Sequence, residues 1–281
     1  MLWPESGFTK GQVIDYYARV ADAIVPHLHG RPLTLRRFPN GVEDKSFFEK
    51  RCPGHRPDWV RTAAVWSGRK EGDIDYCVCD EKATLIWMAQ LAALELHPSL
   101  SLAEEIERPT VLAFDLDPGA PADILDCCWV ALRLREMFAG LDLECFPKTS
   151  GSKGLQVYVP LNGDVTYERT KPFAHAVAQA LERAEPRRIV SRMAKDLRRG
   201  KVFVDWSQND QHKTTVAVYS LRARERPTAS TPVEWAEVER AIKREDPDSL
   251  SFEAGEVLKR VSKDGDLFAP VLELRQGLPD E

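Results

Sequence analysis

The sequence predicts an α+β fold, and three observations carry that reading. Apolar runs of strand length, VLAFDLD (111–117), LQVYV (155–159) and VFVD (202–205), end in aspartate, proline or a turn signal. Amphipathic stretches of helical period stand between them. The two kinds follow one another irregularly, which favours a mixed sheet over a regular doubly wound one. At 281 residues, 43 % hydrophobic and 30 % charged, the chain can bury a sizeable core and is not globally disordered. No stretch approaches the ~20 apolar residues of a membrane span. The start, MLWPESGFTKGQVIDYY, has an acid early and no apolar run, unlike a secretory leader. A soluble intracellular chain, with no membrane partner, is expected.

Residues 10–28 place Val13, Ile14, Tyr17, Val20, Ala21 and Ile24 at helical spacing. Arg31-Pro32 leads into a strand, LTLRRF, and residues 40–61, which have no clean period, are expected to form a loop. Asp80 is placed to cap a helix running to about His97, whose apolar run TLIWMAQLAAL reads as buried on most sides. His97 would then sit at a helix C-terminus. A helix over about 122–139 follows the 111–117 strand, then strand-like LECF, a Gly/Ser/Lys loop at 149–154 and the 155–159 strand. Helices are expected over about 167–184 and 187–199, and strands at 202–205 and at TTVAVYS (214–220). Thr231-Pro232-Val233-Glu234 has the form of a capping box with proline at the first helical position, so a helix should begin there. No repeat, low-complexity segment or interdomain linker stands out.

The six cysteines, Cys52, Cys77, Cys79, Cys127, Cys128 and Cys145, lack the spacing of a zinc site and read as reduced thiols. Cys127 and Cys128, inside an apolar helical stretch, read as buried. The formal charge of −5 is unevenly placed. Glu234 to Glu281 holds 13 acids against 7 bases, which leaves residues 1–233 at +1. Within that body, Arg183 to Lys201 carries eight bases against Glu185 and Asp196. Local basic patches, not whole-chain charge, attract a phosphate backbone, although a solvated helix face has the same composition.

Asp115 and Asp117 alternate with Phe114 and Leu116 along one strand, so both carboxylates project from one face. Two carboxylates that close repel each other, and a hard divalent cation relieves the repulsion; aspartates that merely cap the next turn are the plainer alternative. Asp205 closes a second apolar strand, where it either joins the pair or starts a turn. Three such carboxylates suit two cations positioned for in-line attack at phosphorus. Thr149-Ser150-Gly151-Ser152-Lys153-Gly154 lacks Walker A order but offers backbone N–H groups, hydroxyls and one ammonium to an anion. A flexible hairpin connection has the same make-up. Arg222 and Arg224, two apart, share a face in extended chain and could clamp phosphate or form surface ion pairs. Phe47 and Phe48 lie between Lys45 and Lys50-Arg51, a pattern that suits stacking on bases or anchoring of a loop.

Taken in order, DKSFFEK, LELHPSLS, FDLDPG, KTSGSKGLQVYVPL, VFVDWSQN and KTTVAVYSLRAR resemble the polymerase domain of bacterial ligase D, of the archaeo-eukaryotic primase superfamily. The resemblance runs from about Phe8 to Trp235, with no ligase or nuclease module, as in a stand-alone relative or an excised domain. It implies a primase-polymerase fold in one domain, with an N-terminal α/β module (about 1–109), an RRM-like catalytic sheet (about 110–230) and an acidic helical C-terminal segment (about 231–281). It implies Asp115, Asp117 and Asp205 as catalytic ligands of two Mn²⁺ or Mg²⁺ ions. His97, Ser150, Lys153, Gln156, Arg222 and Arg224 match nucleotide-binding positions, and Phe47 and Phe48 match aromatics that pack on the template. Lys10 falls where the family binds a downstream 5′-phosphate. The implied function is template-directed nucleotidyl transfer, preferring ribonucleotides, that fills short gaps during double-strand-break end joining in the bacterial cytoplasm at the nucleoid. The implied partners are DNA ends and gapped duplex, NTP or dNTP, a DNA ligase and a Ku-type end-binding protein. An inactive end-binding module, a primer-independent primase and a two-metal nuclease are the alternatives. One departure stands out: the family's GLH is Gly154-Leu155-Gln156 here, and glutamine cannot donate a charged hydrogen bond to a triphosphate.

Overall fold

The computed structural model describes residues 1–68 and 71–279. In chain order its elements are α1 (Lys10–Leu28), β1 (Leu33–Arg37), β2 (Phe47–Glu49), β3 (Thr62–Ser67), β4 (Gly72–Cys77), α2 (Lys82–Gln90) and β5 (Ala93–Pro98). There follow β6 (Val111–Pro118), α3 (Ile124–Ala139), β7 (Phe146–Thr149), β8 (Leu155–Pro160), α4 (Tyr167–Ala184), β9 (Ile189–Val190) and β10 (Val202–Asp205). The last three are α5 (Trp235–Arg244), α6 (Ala254–Asp264) and α7 (Pro270–Glu273). The fold is mixed α+β, as the sequence predicts. Among the described residues no helix is long and apolar enough to cross a membrane.

Two compact units are assembled from non-contiguous segments. The first takes Met1–Ile106, Thr214–Ser230 and Phe252–Asp266; the second takes Glu107–Lys213, Thr231–Ser251 and the segment from Leu267. The last two acids of the sequence, Asp280 and Glu281, lie outside the described residues.

In the first unit an antiparallel sheet has the order β2-β1-β4-β3, with β5 also on β1. β1 pairs with β5 along its whole length and sets Arg36 opposite Phe48 and Arg37 opposite Phe47 on β2. α1 starts at a capping box in which Thr9 and Gln12 satisfy each other's backbone N–H groups. Its buried tyrosines find acceptors within the unit: Tyr16 donates to the Tyr219 carbonyl and Tyr17 to that of Leu94, each at 2.7 Å.

Several expectations for this unit are corrected. The 40–61 segment contains a strand, β2, because its aromatic pair completes the ladder of β1. The helix ends at Gln90 rather than near His97, and Ala92 takes a positive φ of 56° as the chain turns into β5. An unbroken apolar run fits a buried helix and a buried strand equally well, so periodicity could not locate this break. Glu81, not Asp80, is the N-cap of that helix; the Asp80 carboxylate instead accepts from Gly30 N and Arg61. TTVAVYS forms no strand: Ser99 and Thr214 make an isolated bridge, the Thr215 and Ala217 N–H groups donate to the Pro98 and Leu96 carbonyls, and Tyr219 breaks the run with a φ of 63°. The thiols are not all reduced. Cys52 and Cys77 form a disulfide because Cys52 N donates to the Asp75 carbonyl and lays the segment along β4. Cys79, Cys127, Cys128 and Cys145 are free and buried.

In the second unit the sheet order is β7-β8-β6-β10-β9. Asp123 and Asp126 form the capping box of α3. Phe114 meets Phe138 of α3 with ring centroids 5.5 Å apart, so α3 covers the face to which Phe114 and Leu116 point. The predicted alternation therefore holds, and Asp115 and Asp117 occupy the opposite face. Three boundaries differ. The strand expected at LECF begins only at Phe146. No α-helix spans 187–199: β9 pairs in parallel with β10, and a 3₁₀ turn covers Lys195–Arg198. The helix expected at Thr231 begins at Trp235, with its capping box at Glu234 and Glu237. Thr231 is held earlier, its N–H donating to Thr149 Oγ1 and its carbonyl accepting from Thr149 N.

Candidate active site

Strand register in the second unit builds a polar row. Lys148 of β7 lies opposite Gln156 of β8, Gln156 opposite Asp115 of β6, and Asp115 opposite Asp205 of β10. Asp117, two residues along β6, shares the face and lies opposite Phe203. Burial and the neighbouring Asp117 carboxylate push the Asp115 carboxyl up to about 7; Asp205 adds to the rise, while a hydrogen bond from Gln156 and the Lys148 ammonium oppose it. Lys148 is 0 % exposed, with Nζ 5.4 Å from the centroid of the Tyr158 ring. Gln156 is 3 % exposed, and its Oε1 meets no hydrogen-bond partner. Gln156 therefore spends an amide N–H on Asp115.

The residues after β10 explain how Asp205 is held. Asp205 caps a 3₁₀ turn over Trp206–Gln208, which was one of the two readings of its sequence position. Ser207 donates to its Oδ1 through both N (2.9 Å) and Oγ (2.6 Å), and Gln208 Nε2 donates to Oδ2 at 2.7 Å. Trp206 Nε1 bonds the Ser191 carbonyl. The buried Asn209 side chain bonds both N and O of Ala113, extending the pairing of β6 past the end of β10. Within the DWSQN segment, Ser207 and Gln208 thus hold the carboxylate, while Trp206 and Asn209 tie the turn to the Ser191 and Ala113 backbone. Gln208, Asn209 and Lys148 were not singled out in the sequence, since a lone amide or lysine beside a strand carries no periodic signal.

The 149–154 loop joins β7 to β8 as a tight connection organised by Ser150. Ser150 N donates to the Gly154 carbonyl, and its Oγ accepts from Ser152 N and Gly154 N, each at 3.2 Å. Gly154 is required because a Cβ there would lie 2.1 Å from the Leu116 carbonyl oxygen, on the strand that carries the aspartates. Gly119, just past the same end of β6, is constrained in the same way: a Cβ there would lie 1.9 Å from the Arg198 carbonyl oxygen. Lys153 is exposed at this loop. Asp115, Asp117, Asp205, Ser150, Lys153 and Gln156 are thus gathered on β6, β8, β10 and one loop of a single unit. Among the described residues no three His, Cys, Asp or Glu side chains form a ready cation cage. The donor set nevertheless fits: Asp117 and Asp205 both raise the proton affinity of Asp115, and a hard divalent cation satisfies such a cluster of carboxylates.

The first unit gathers a second group around Glu95. This carboxylate, 1 % exposed on β5, meets Arg36 Nη1 at 3.3 Å, His97 Nε2 at 3.1 Å, Arg222 Nε at 3.4 Å and Ala223 N at 3.1 Å. Phe48 packs edge-on against His97, and the Arg36 guanidinium lies over Phe48 as that of Arg37 does over Phe47. Phe47 and Phe48 remain 45 % and 61 % exposed. Arg222 and Arg224 are not in extended chain: Arg224 N donates to the Arg222 carbonyl, which folds the pair into a turn. Burial, then the Arg222 charge, lowers the Arg224 pKa. Lys10 is exposed in the first turn of α1.

An α+β chain with paired strand-end aspartates, a small-residue lysine loop and a basic aromatic group has the features of the primase-polymerase class. The model of the LigD primase-polymerase domain matches residues 9–268, and the chain belongs to that family of nucleotidyltransferases. It is 41 % identical over 273 residues to the multifunctional non-homologous end joining protein LigD of Mycolicibacterium smegmatis, covering 96 % of this chain and 35 % of the relative. The bifunctional LigD of Bacillus subtilis is 31 % identical over 266 residues, or 94 % of this chain and 42 % of that one. The chain thus spans about a third of the length of its mycobacterial relatives. The polymerase domain of Mycobacterium tuberculosis ligase D, solved in complex with DNA, superposes with a TM-score of 0.89 at 40 % identity, covering 98 % of this chain and 96 % of that domain.

Proposed function

We propose that this chain is a template-directed polymerase that adds nucleotides, ribonucleotides by preference, to a primer 3′-OH across short gaps in broken DNA. The observation that supports it most is the alignment of Asp115 and Asp205 across two strands, with Asp117 on the same face. Asp115, Asp117 and Asp205 would hold two Mn²⁺ or Mg²⁺ ions. Such ions, when bound, lower the pKa of the attacking hydroxyl and neutralise charge at the α-phosphate as pyrophosphate leaves. Lys153 and the N–H groups of the Ser150 loop offer charge and donors to the triphosphate. His97, Arg222 and Arg224 take the remaining nucleotide contacts. Phe47 and Phe48, exposed on an edge strand, stack on template bases, and Lys10 at the α1 N-terminus receives a downstream 5′-phosphate.

In this reading the chain works with a DNA ligase and a Ku-type end-binding protein at the nucleoid, and the end-joining names of its relatives support that setting. The test is extension of a labelled primer across a short gap with a 5′-phosphorylated downstream strand. Mn²⁺ and Mg²⁺, and NTPs and dNTPs, are compared, with Asp117→Ala as control. Templated addition that the variant loses is the expected result. Tight binding without addition would replace the polymerase with an inactive end-binding module, and primer shortening would replace it with a nuclease.

A further inference from the structure

We infer that Glu95 is the positioning residue for His97, fixing the ring as the Nε2–H tautomer so that Nδ1 accepts a hydrogen bond from a ribose hydroxyl. The inference rests on the proposed polymerase reading for its ligand, but not for its geometry. Glu95 and His97 are two apart on β5 and so share a face of the strand, an arrangement that the helix expected there would have prevented. His97 Nε2 lies 3.1 Å from Glu95 Oε2. A carboxylate can only accept, so the imidazole nitrogen facing it carries the proton.

Two conditions hold the arrangement at neutral pH. Glu95 is ionised: despite burial, the hydrogen bond from His97 and the charges of Arg222 and Arg36 bring its pKa down to about 2. His97 is neutral: burial lowers its pKa, with Arg222 and Arg36 acting in the same direction and Glu95 in the opposite one. Three elements supply the groups that face Glu95. Arg36 comes from β1, His97 from β5, and Arg222 with the Ala223 N–H from the 221–229 turn. A neutral ring with its proton directed inward has a lone pair left at Nδ1. A ribose hydroxyl can donate to that lone pair, and a deoxyribose carbon cannot.

The test begins without nucleotide. Long-range ¹H–¹⁵N correlation spectra of the whole chain at neutral pH, with His97→Asn used to assign the signal, read the protonated nitrogen directly. A His97 ring protonated at Nε2 is expected, and one protonated at Nδ1 in the unmodified chain would overturn the inference with no variant needed. Glu95→Gln, whose amide can donate or accept, should give a mixture of tautomers. The NTP-over-dNTP ratio of kcat/KM should fall about tenfold in that variant, the worth of one hydrogen bond to substrate. A single Nε2–H tautomer and an unchanged ratio in folded Glu95→Gln would also overturn it. The nitrogen spectra judge Glu95 and His97 alone, whereas absence of extension by the unmodified chain would sink the polymerase reading.

Discussion

Lys148, Gln156 and Asp115 lie in register on three strands, and each changes what its neighbour can do. A buried ammonium and a buried amide both favour the ionised form of a carboxylate that burial and Asp117 would otherwise keep protonated. Gln156 is where this chain departs from the GLH pattern, and its structural cost is visible: the Oε1 atom is buried and unpaired. An unsatisfied buried acceptor costs about 1–3 kcal/mol. A charged hydrogen bond is worth about 1 kcal/mol more than a neutral one. Gln156→His is therefore expected to lower the apparent nucleotide KM several-fold in steady-state extension. An unchanged KM would show that position 156 acts on Asp115 and not on the triphosphate. The residue types of the aspartates, the Ser150 loop and the Phe47-Phe48 pair were legible because each sits at a strand end or in a composition that stands out. Glu95 was not, because a single glutamate in an apolar run gains meaning only from the four groups that converge on it.

Among elements, those with a clear period were legible and those that depend on a distant partner were not. α1, α3, α4, β6, β8 and β10 follow the sequence reading closely. β2 is three residues long and exists because β1 offers an edge, and β5 is set by five residues of β1 rather than by its own pattern. The β3–β4 pair was not legible in the sequence, although its pairs run in unbroken register from Thr62–Cys77 to Ser67–Gly72. The disulfide belongs to this scale, since it ties the segment after β2 to the end of β4 across 25 residues of sequence. A cross-link of that span typically stabilises by about 2–4 kcal/mol through restriction of the unfolded chain. Thiol titration of the denatured, unreduced protein is expected to find four cysteines, Cys79, Cys127, Cys128 and Cys145. Six would show that Cys52 and Cys77 are unpaired in solution.

For the whole molecule, the net charge of −5 conceals where the basic groups stand. The Arg183–Lys201 segment, lacking an α-helix beyond the end of α4, is an irregular basic surface pinned at several points. Arg192 pairs with Glu182, Arg198 covers Phe203, Lys201 bonds the Pro186 carbonyl and Arg188 lies over Trp129. Arg183, Arg187, Lys195 and Arg199 are exposed on the same segment. A backbone-tracking surface built on four such groups should release about four counterions, so the logarithm of DNA affinity should fall with the logarithm of salt at a slope of about −4. Arg187→Ala and Arg199→Ala should each weaken binding to any DNA sequence and reduce that slope by about 1. Both are measurable by fluorescence anisotropy on gapped duplex across a salt series. A slope near zero, or one that neither substitution changes, would assign DNA contact to other cations and leave this segment a solvated face.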